Sequence, residues 1–348
     1  MTEQLPSVYA IVERPRARIM AIWLFVIAAM VFIMVVLGGV TRLTGSGLSM
    51  VEWRPITGWL PPFHDGEWQQ LFQKYQAYPE FRKMNLHMTL DGFKGIFWLE
   101  FLHRLWGRAI GLAFFLPFVF FALRGWINRA LAWRFAIMFI GGGLQGAMGW
   151  FMVKSGLVDH PDVSQYRLAA HLIIAFAIYA YILWVAISLW RGGMFPDAIP
   201  ALKRGAAGLV ALIFITAFSG ALVAGLDAGL TYNTFPLMDG DLVPGGMFTL
   251  SPVYLNFFEN ITTVQFDHRV LAVTTFFVVI WFWWKGRRNG AAGRLRCAMD
   301  AMAMVVCIQV ALGISTLLLV VPLTLAAAHQ AGAAVLLGIT IWVLREIA

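Results

Sequence analysis

Charge is scarce in this chain. Only 13% of its 348 residues are Asp, Glu, Lys or Arg, against about 25% in an ordinary soluble domain. Cysteine is nearly absent. Cys297 and Cys307 lie in or beside one apolar segment, so a disulfide framework is excluded. No cleavable leader is expected, because a polar and then basic start (Arg14, Arg16, Arg18) runs into a full-length apolar span. The net charge of +8 does not mark a nucleic-acid partner, since it is not carried on a soluble basic face. What the chain has instead is apolar length: 60% hydrophobic residues and a mean hydropathy of +0.74. It reads as an integral membrane protein.

A helix needs about 20 apolar residues to span a bilayer. Eight segments qualify, at 18–40, 94–123, 132–153, 167–190, 206–226, 263–284, 296–318 and 322–344. Lys and Arg set the orientation. Arg14, Arg16 and Arg18, then Arg124, Arg129 and Arg134, then Arg191, Lys203 and Arg204, then Lys285, Arg287, Arg288, Arg294 and Arg296 all fall on one side. Both termini are therefore expected in the cytoplasm, in a multi-pass protein of the cell inner membrane. Residues 41–93 form a long outer loop, in which Gly66 to Tyr78 predicts a short interfacial amphipathic helix. Residues 227–262 form a second outer loop.

The halves repeat. Gln145-Gly146-Ala147-Met148-Gly149 parallels Gln309-Val310-Ala311-Leu312-Gly313, and Leu168-Ala169-Ala170-His171 parallels Ala326-Ala327-Ala328-His329. Four helices return the chain to its starting side, so the repeats should be parallel. The expected fold is all-α: eight transmembrane helices as two four-helix bundles related by a pseudo-twofold axis along the membrane normal. The divisions are a tail at 1–17, a first repeat at 18–190, a linker at 191–205 and a second repeat at 206–348.

Ionisable residues within apolar spans are costly, by at least ~2.5 kcal/mol for a central Arg. Two such runs stand out: Glu100-Phe101-Leu102-His103-Arg104 and Gln265-Phe266-Asp267-His268-Arg269. With His171 and His329, each even-numbered span carries one imidazole. His103 lies ~30 Å from Arg124, His171 ~30 Å from Arg191, His268 ~25 Å from Lys285 and His329 ~24 Å from Arg345. All four therefore sit in the outer half of the membrane. A single buried histidine is usually structural, but four at matched depth in two repeated pairs point to metal ligation. Two imidazoles facing each other across a bundle suit a haem iron; copper and zinc also take imidazole. Arg104 and Arg269 are candidates for haem propionates or for headgroup anchoring. His64, His87 and His160 lie in the outer loops and read as surface residues. Gln145 and Gln309 are candidates for interhelical hydrogen bonds. Glu100 precedes His103 by one helical turn, where the second repeat has Gln265. A carboxylate can take protons and stabilise positive charge; an amide cannot. The first site thus reads as chemical and the second as cofactor-holding. Alternatively, Glu100 only pairs with Arg104.

These motifs, with Gly38-Gly39-Val40-Thr41-Arg42-Leu43-Thr44-Gly45-Ser46-Gly47-Leu48 after the first span, resemble the haem A synthase family over residues 20–345. The long first loop is similar to the mitochondrial and alphaproteobacterial branch. Paired outer-loop cysteines of the Bacillus type are missing. The resemblance implies an enzyme that oxidises the C8 methyl group of haem O to a formyl group through a hydroxylated intermediate. Its oxygen comes from water and its product serves cytochrome c oxidase. It further implies haem b as cofactor on His268 and His329, with Arg269. His103, His171 and Arg104 would attend the substrate haem, and Glu100 the reacting edge. Implied partners are the haem O synthase, cytochrome c oxidase assembly factors and the lipid bilayer, with a homo-oligomer left open. The rival reading is a bis-histidine b-type cytochrome that only transfers electrons. A transporter is disfavoured because no paired Gly/Pro interruption occurs at mid-membrane.

Overall fold

The structure, a computed structural model, describes residues 13–54, 57–156, 163–193 and 199–347. Among the described residues it contains helices and no strand. In order these are α1 (Arg14–Leu43), α2 (Asp65–Gln76), α3 (Pro79–Met84), α4 (Leu90–Leu123), α5 (Arg129–Gly156), α6 (Gln165–Arg191), α7 (Lys203–Gly225), α8 (Asn256–Glu259), α9 (Ile261–Arg288), α10 (Gly293–Leu318) and α11 (Leu323–Ile347). Eight of them, α1, α4, α5, α6, α7, α9, α10 and α11, are long and apolar enough to cross a membrane. They coincide with the eight segments expected from the sequence, each a few residues longer at one or both ends.

Local chemistry sets several ends. The Thr89 hydroxyl accepts from Gly92 N–H at the start of α4, and the Asn260 side chain accepts from Thr263 N–H at the start of α9. Gly192, at φ +60°, closes α6 in the left-handed conformation that a Cβ would oppose. At 34 residues α4 is about 50 Å long, well beyond a ~30 Å hydrocarbon core. Its first turns therefore project on the long-loop side.

Helix packing follows one pattern twice. In the first half α1 packs on α4 and α6, and α5 on α4 and α6; in the second, α7 packs on α9 and α11, and α10 on α9 and α11. Contacts of α6 with α7, α1 with α11, and α6 with α11 join the halves. The central helices α1, α6, α7 and α11 carry most of the buried aliphatic core, including Leu24, Val185, Leu209 and Leu337. The outer helices α4, α5, α9 and α10 expose Leu116, Ile140, Phe277 and Met304, as side chains facing lipid should. Polar contacts also cross between the halves. Arg42 pairs with Asp227 at 2.6 Å, Gln330 Nε2 donates to Val35 O at 2.8 Å, and buried Glu346 pairs with Arg191 at 3.2 Å. At the α6–α7 crossing a Cβ on Gly225 would stand 2.5 Å from the Gln165 Cα. No residue but glycine permits that approach.

The helix predicted at 66–78 forms as α2, but its apolar face is not laid on lipid. Trp68 and Tyr75 are buried against Phe93, Phe97 and Phe101 of α4. The first loop is thus a folded cap whose aromatic core continues the top of α4. His64 and His87 are exposed, as expected, and His160 lies outside the described residues. Cys297 and Cys307 are free thiols on α10.

Candidate functional site

Each half holds two part-buried histidines, one from an outer helix and one from a central helix: His103 on α4 with His171 on α6, and His268 on α9 with His329 on α11. All four lie in the N-terminal halves of helices that begin on the long-loop side. The members of each pair are close enough to interact electrostatically. No cluster of three or more His, Cys, Asp or Glu able to hold a bare metal ion occurs among the described residues. The donor set is therefore two imidazoles per half. This fits a metal whose remaining ligands come from its own macrocycle better than a protein-only zinc or copper site.

The sequence reading passed over what seats these rings. Every imidazole rests on a glycine of a neighbouring helix. A Cβ on Gly38 (α1) would stand 3.3 Å from the His103 ring, and on Gly149 (α5) 3.4 Å from His171. In the second half the seats are tighter: 2.9 Å from Gly220 (α7) to His268 and 2.8 Å from Gly313 (α10) to His329. All four helices of each bundle thus contribute to its site. The signal was in the Gln145–Gly149 and Gln309–Gly313 repeats, where Gln and Gly four residues apart share a helix face. As expected, these glutamines bond between helices: Gln145 Nε2 donates to His171 O at 3.0 Å and Gln309 Nε2 to His329 O at 2.9 Å.

His268 has a further support. Ser219 Oγ lies 2.8 Å from His268 Nδ1, and the same hydroxyl donates to Thr216 O at 2.8 Å. With its one proton so used, Ser219 accepts from Nδ1–H, an assignment made from the hydrogen-bond network. The His268 Nε2 lone pair is then free for a metal, in the manner of outer-shell partners that fix a ligand's tautomer. In the first half Leu37 occupies the position corresponding to Ser219. The α6 and α11 histidines are alike in both halves: His171 Nδ1 and His329 Nδ1 are each buried with no hydrogen-bond partner among the described residues.

One turn before the α4 and α9 histidines the halves diverge. Glu100 is 2% exposed, and its carboxylate accepts from Ser49 Oγ and Met50 N–H, both at 2.7 Å, and from Arg104. Gln265, equally buried, does the reverse: its Nε2 donates to Ala228 O at 2.8 Å and Thr231 O at 2.6 Å. The loop preceding each helix therefore presents donors to the carboxylate and acceptors to the amide. Both arginines hold that loop as well. Arg104 donates to Met50 O and Glu52 O, at 2.9 and 3.1 Å, and its guanidinium lies 5.0 Å from the Trp53 ring centroid. Arg269 donates to Tyr232 O and to Thr234 O at 2.8 Å, and its Nε is buried without a partner among the described residues.

An eight-span membrane protein with a pair of neighbouring histidines in each half, seated on glycines and capped by an arginine-held loop, is the class that this fold and site define. Residues 21–341 match the COX15-CtaA family, described as cytochrome oxidase assembly protein. The chain is 54% identical to the haem A synthase of Nitrosospira multiformis, over 94% of this chain and 93% of that one. To the haem A synthase of Parvibaculum lavamentivorans it is 47% identical over 99% of both, and to haem A synthase COX15 of Bos taurus 44% identical over 98% of this chain and 85% of that one. The chain belongs to the COX15-CtaA family.

Proposed function

We propose that this protein is a haem A synthase that converts the C8 methyl group of haem O to a formyl group through a hydroxylated intermediate, with oxygen from water. The observation that carries the reading is a duplicated histidine site with an ionisable residue, Glu100, in one copy only. It is supported by near full-length similarity to haem A synthases of bacteria and a mammal.

The second half, residues 206–348, holds haem b in this reading. His268 and His329 would hold its iron; both are tightly seated, and His268 is fixed in tautomer by Ser219. Arg269 keeps a buried Nε–H with no hydrogen-bond partner among the described residues, a donor that a propionate would satisfy. When bound, haem b supplies one-electron redox chemistry. The first half, residues 18–190, receives haem O, with His103, His171 and Arg104 as its binding residues. A substrate must enter and leave, and here α4 lies more loosely on α5 than α9 does on α10. The halves repeat about a pseudo-twofold axis along the membrane normal, the linker being 191–205. Basic residues flanking the spans place both termini in the cytoplasm and the long loops outside the inner membrane. Haem O synthase and cytochrome c oxidase assembly factors are the partners that such a substrate and product require.

In becoming a formyl group the methyl carbon gains an oxygen from water, and the two together release four electrons and four protons, two of the protons from the carbon and two from the water. Glu100, buried one turn before His103, would hold a negative charge at the reacting edge and stabilise the cationic character that develops as electrons leave. Ser49, Met50 and Arg104 keep the carboxylate in place, so it needs little reorganisation.

The test is pigment analysis of purified protein with and without added haem O. Haem A should form, and His268→Ala or His329→Ala should remove most haem b while His103→Ala leaves it. Haem O returned unchanged by a protein rich in haem b would identify an electron carrier and overturn the reading.

A further inference from the structure

We propose that Glu80, on α3 of the first outer loop, relays protons from the N-terminal site to the long-loop surface. The proposal rests on the haem A synthase reading, which requires four protons to leave that site per formyl group made. Glu100 is poorly placed to store them, because three donors already occupy its carboxylate.

Two buried carboxyl groups are not used by the proposed chemistry, and of these Glu346 is paired with Arg191. Glu80 is 7% exposed, and its Oε2 has no hydrogen-bond partner among the described residues. Its carboxyl lies near the Tyr75 hydroxyl, which accepts from Asn85 Nδ2 at 2.8 Å. Both Glu80 and Tyr75 are close enough to Glu100 to feel its charge. Tyr75 packs at 5.2 Å, ring to ring, on Phe93 of α4, so α2 and α3 are held on the helix that carries Glu100 and His103.

Leaving a buried carboxyl oxygen unpaired costs stability, and a residue that only anchored Tyr75 would need no ionisable group. Burial, with a smaller contribution from the Glu100 charge, pushes the Glu80 carboxyl up to about 7. The titratable groups facing it are Tyr75 from α2 and Glu100 from α4; Arg82 and Lys83 on its own helix are exposed. A carboxyl balanced between its two forms near neutral pH both takes and gives a proton readily. The transfer is simple: the carboxylate accepts one proton from the site, then returns it to water beyond the loop. The second half has no equivalent chain, since Gln265 stands where Glu100 does.

The experiment compares wild type, Glu80→Gln and Glu80→Asp, each loaded with haem. Two readouts are taken: the rate of haem A formation against pH, and the infrared carbonyl band of protonated carboxyls against pH. Below about pH 7 Glu80 is protonated and cannot accept, so the wild-type rate should fall as pH drops through that value. Glu80→Gln keeps the size and the acceptor for Tyr75. It should be slower by about tenfold or more, lose this pH step and lose a carbonyl band that titrates near pH 7. Glu80→Asp should recover part of the rate. Glu80→Gln and Glu80→Asp equally slow at full haem content would indicate packing alone and overturn the relay. So would an unchanged rate and pH profile in Glu80→Gln, or retention of the titrating band. If wild type forms no haem A, the functional reading fails, and the band still decides whether Glu80 exchanges protons.

Discussion

The two halves bury the same Glu/Gln-x-x-His-Arg register under loops of opposite hydrogen-bonding sense. Against α4 the loop turns a hydroxyl and an amide N–H toward Glu100. Against α9 it turns two carbonyls toward Gln265. Each side chain is therefore the one its loop can satisfy, and neither position is interchangeable with the other. The histidine seats differ in the same direction. Those of the second half leave no room for a Cβ, and those of the first leave a little. In the proposed division of work, a resident cofactor in the second half would suit rigid seats, and an exchanging substrate in the first would use the looser N-terminal seats and the looser α4–α5 contact.

The sharpest way to break this comparison is to exchange the two residues. Glu100→Gln removes the buried charge and sets an amide against Arg104. Haem A formation should fall by about a hundredfold or more, with haem b retained and haem O or its hydroxylated form accumulating on extraction. Normal haem A content in this variant would return Glu100 to a partner for Arg104. The reciprocal Gln265→Glu places a carboxylate against Ala228 O and Thr231 O, and should destabilise the second half by about 1–3 kcal/mol, seen as haem b loss at lower temperature.

The glycine seats sharpen the comparison next. Gly220→Ala and Gly313→Ala would drive a methyl group to within 3 Å of an imidazole. Both should lower the haem b content of purified protein severalfold. Gly38→Ala and Gly149→Ala, with contacts of 3.3 and 3.4 Å, should retain haem b and change turnover less. Equal haem loss from all four would show that the halves do not divide the work.

The smallest effect should come from Ser219→Ala. Loss of a partner that orients a ligating histidine commonly weakens metal-site binding by about tenfold or more. A faster exchange of haem b into apo-myoglobin is the expected sign, without effect on haem O binding. An unchanged exchange rate would mean that the Gly220 seat alone orients the His268 ring.

Much of this molecule was legible in the chain itself. Eight spans, their repetition, the four histidines and the Glu100–Gln265 difference are all visible, because apolar length and a costly ionisable residue in an apolar run are local properties. The match of Gln145–Gly149 to Gln309–Gly313 was visible too, though not its use as a seat for a ring on another helix. The role of Arg104 and Arg269 was read less completely. As candidates for propionates they were placed by their spacing from His, yet their guanidinium groups also hold loop carbonyls tens of residues away in sequence. The amphipathic pattern at 66–78 correctly marked a helix but could not say that α4, and not lipid, covers it.

What the sequence determined by itself is therefore what each residue brings to its own helix: length, apolarity, an imidazole at a given depth, a carboxylate or an amide. Only the tertiary structure decided which atoms those groups meet. Whether Ser219 orients a ring, whether a glycine is a seat, and whether Glu80 is exposed or shut beneath Tyr75 depend on how separate elements cross. Close packing makes such crossings specific to a few tenths of an ångström, and no local pattern carries that information.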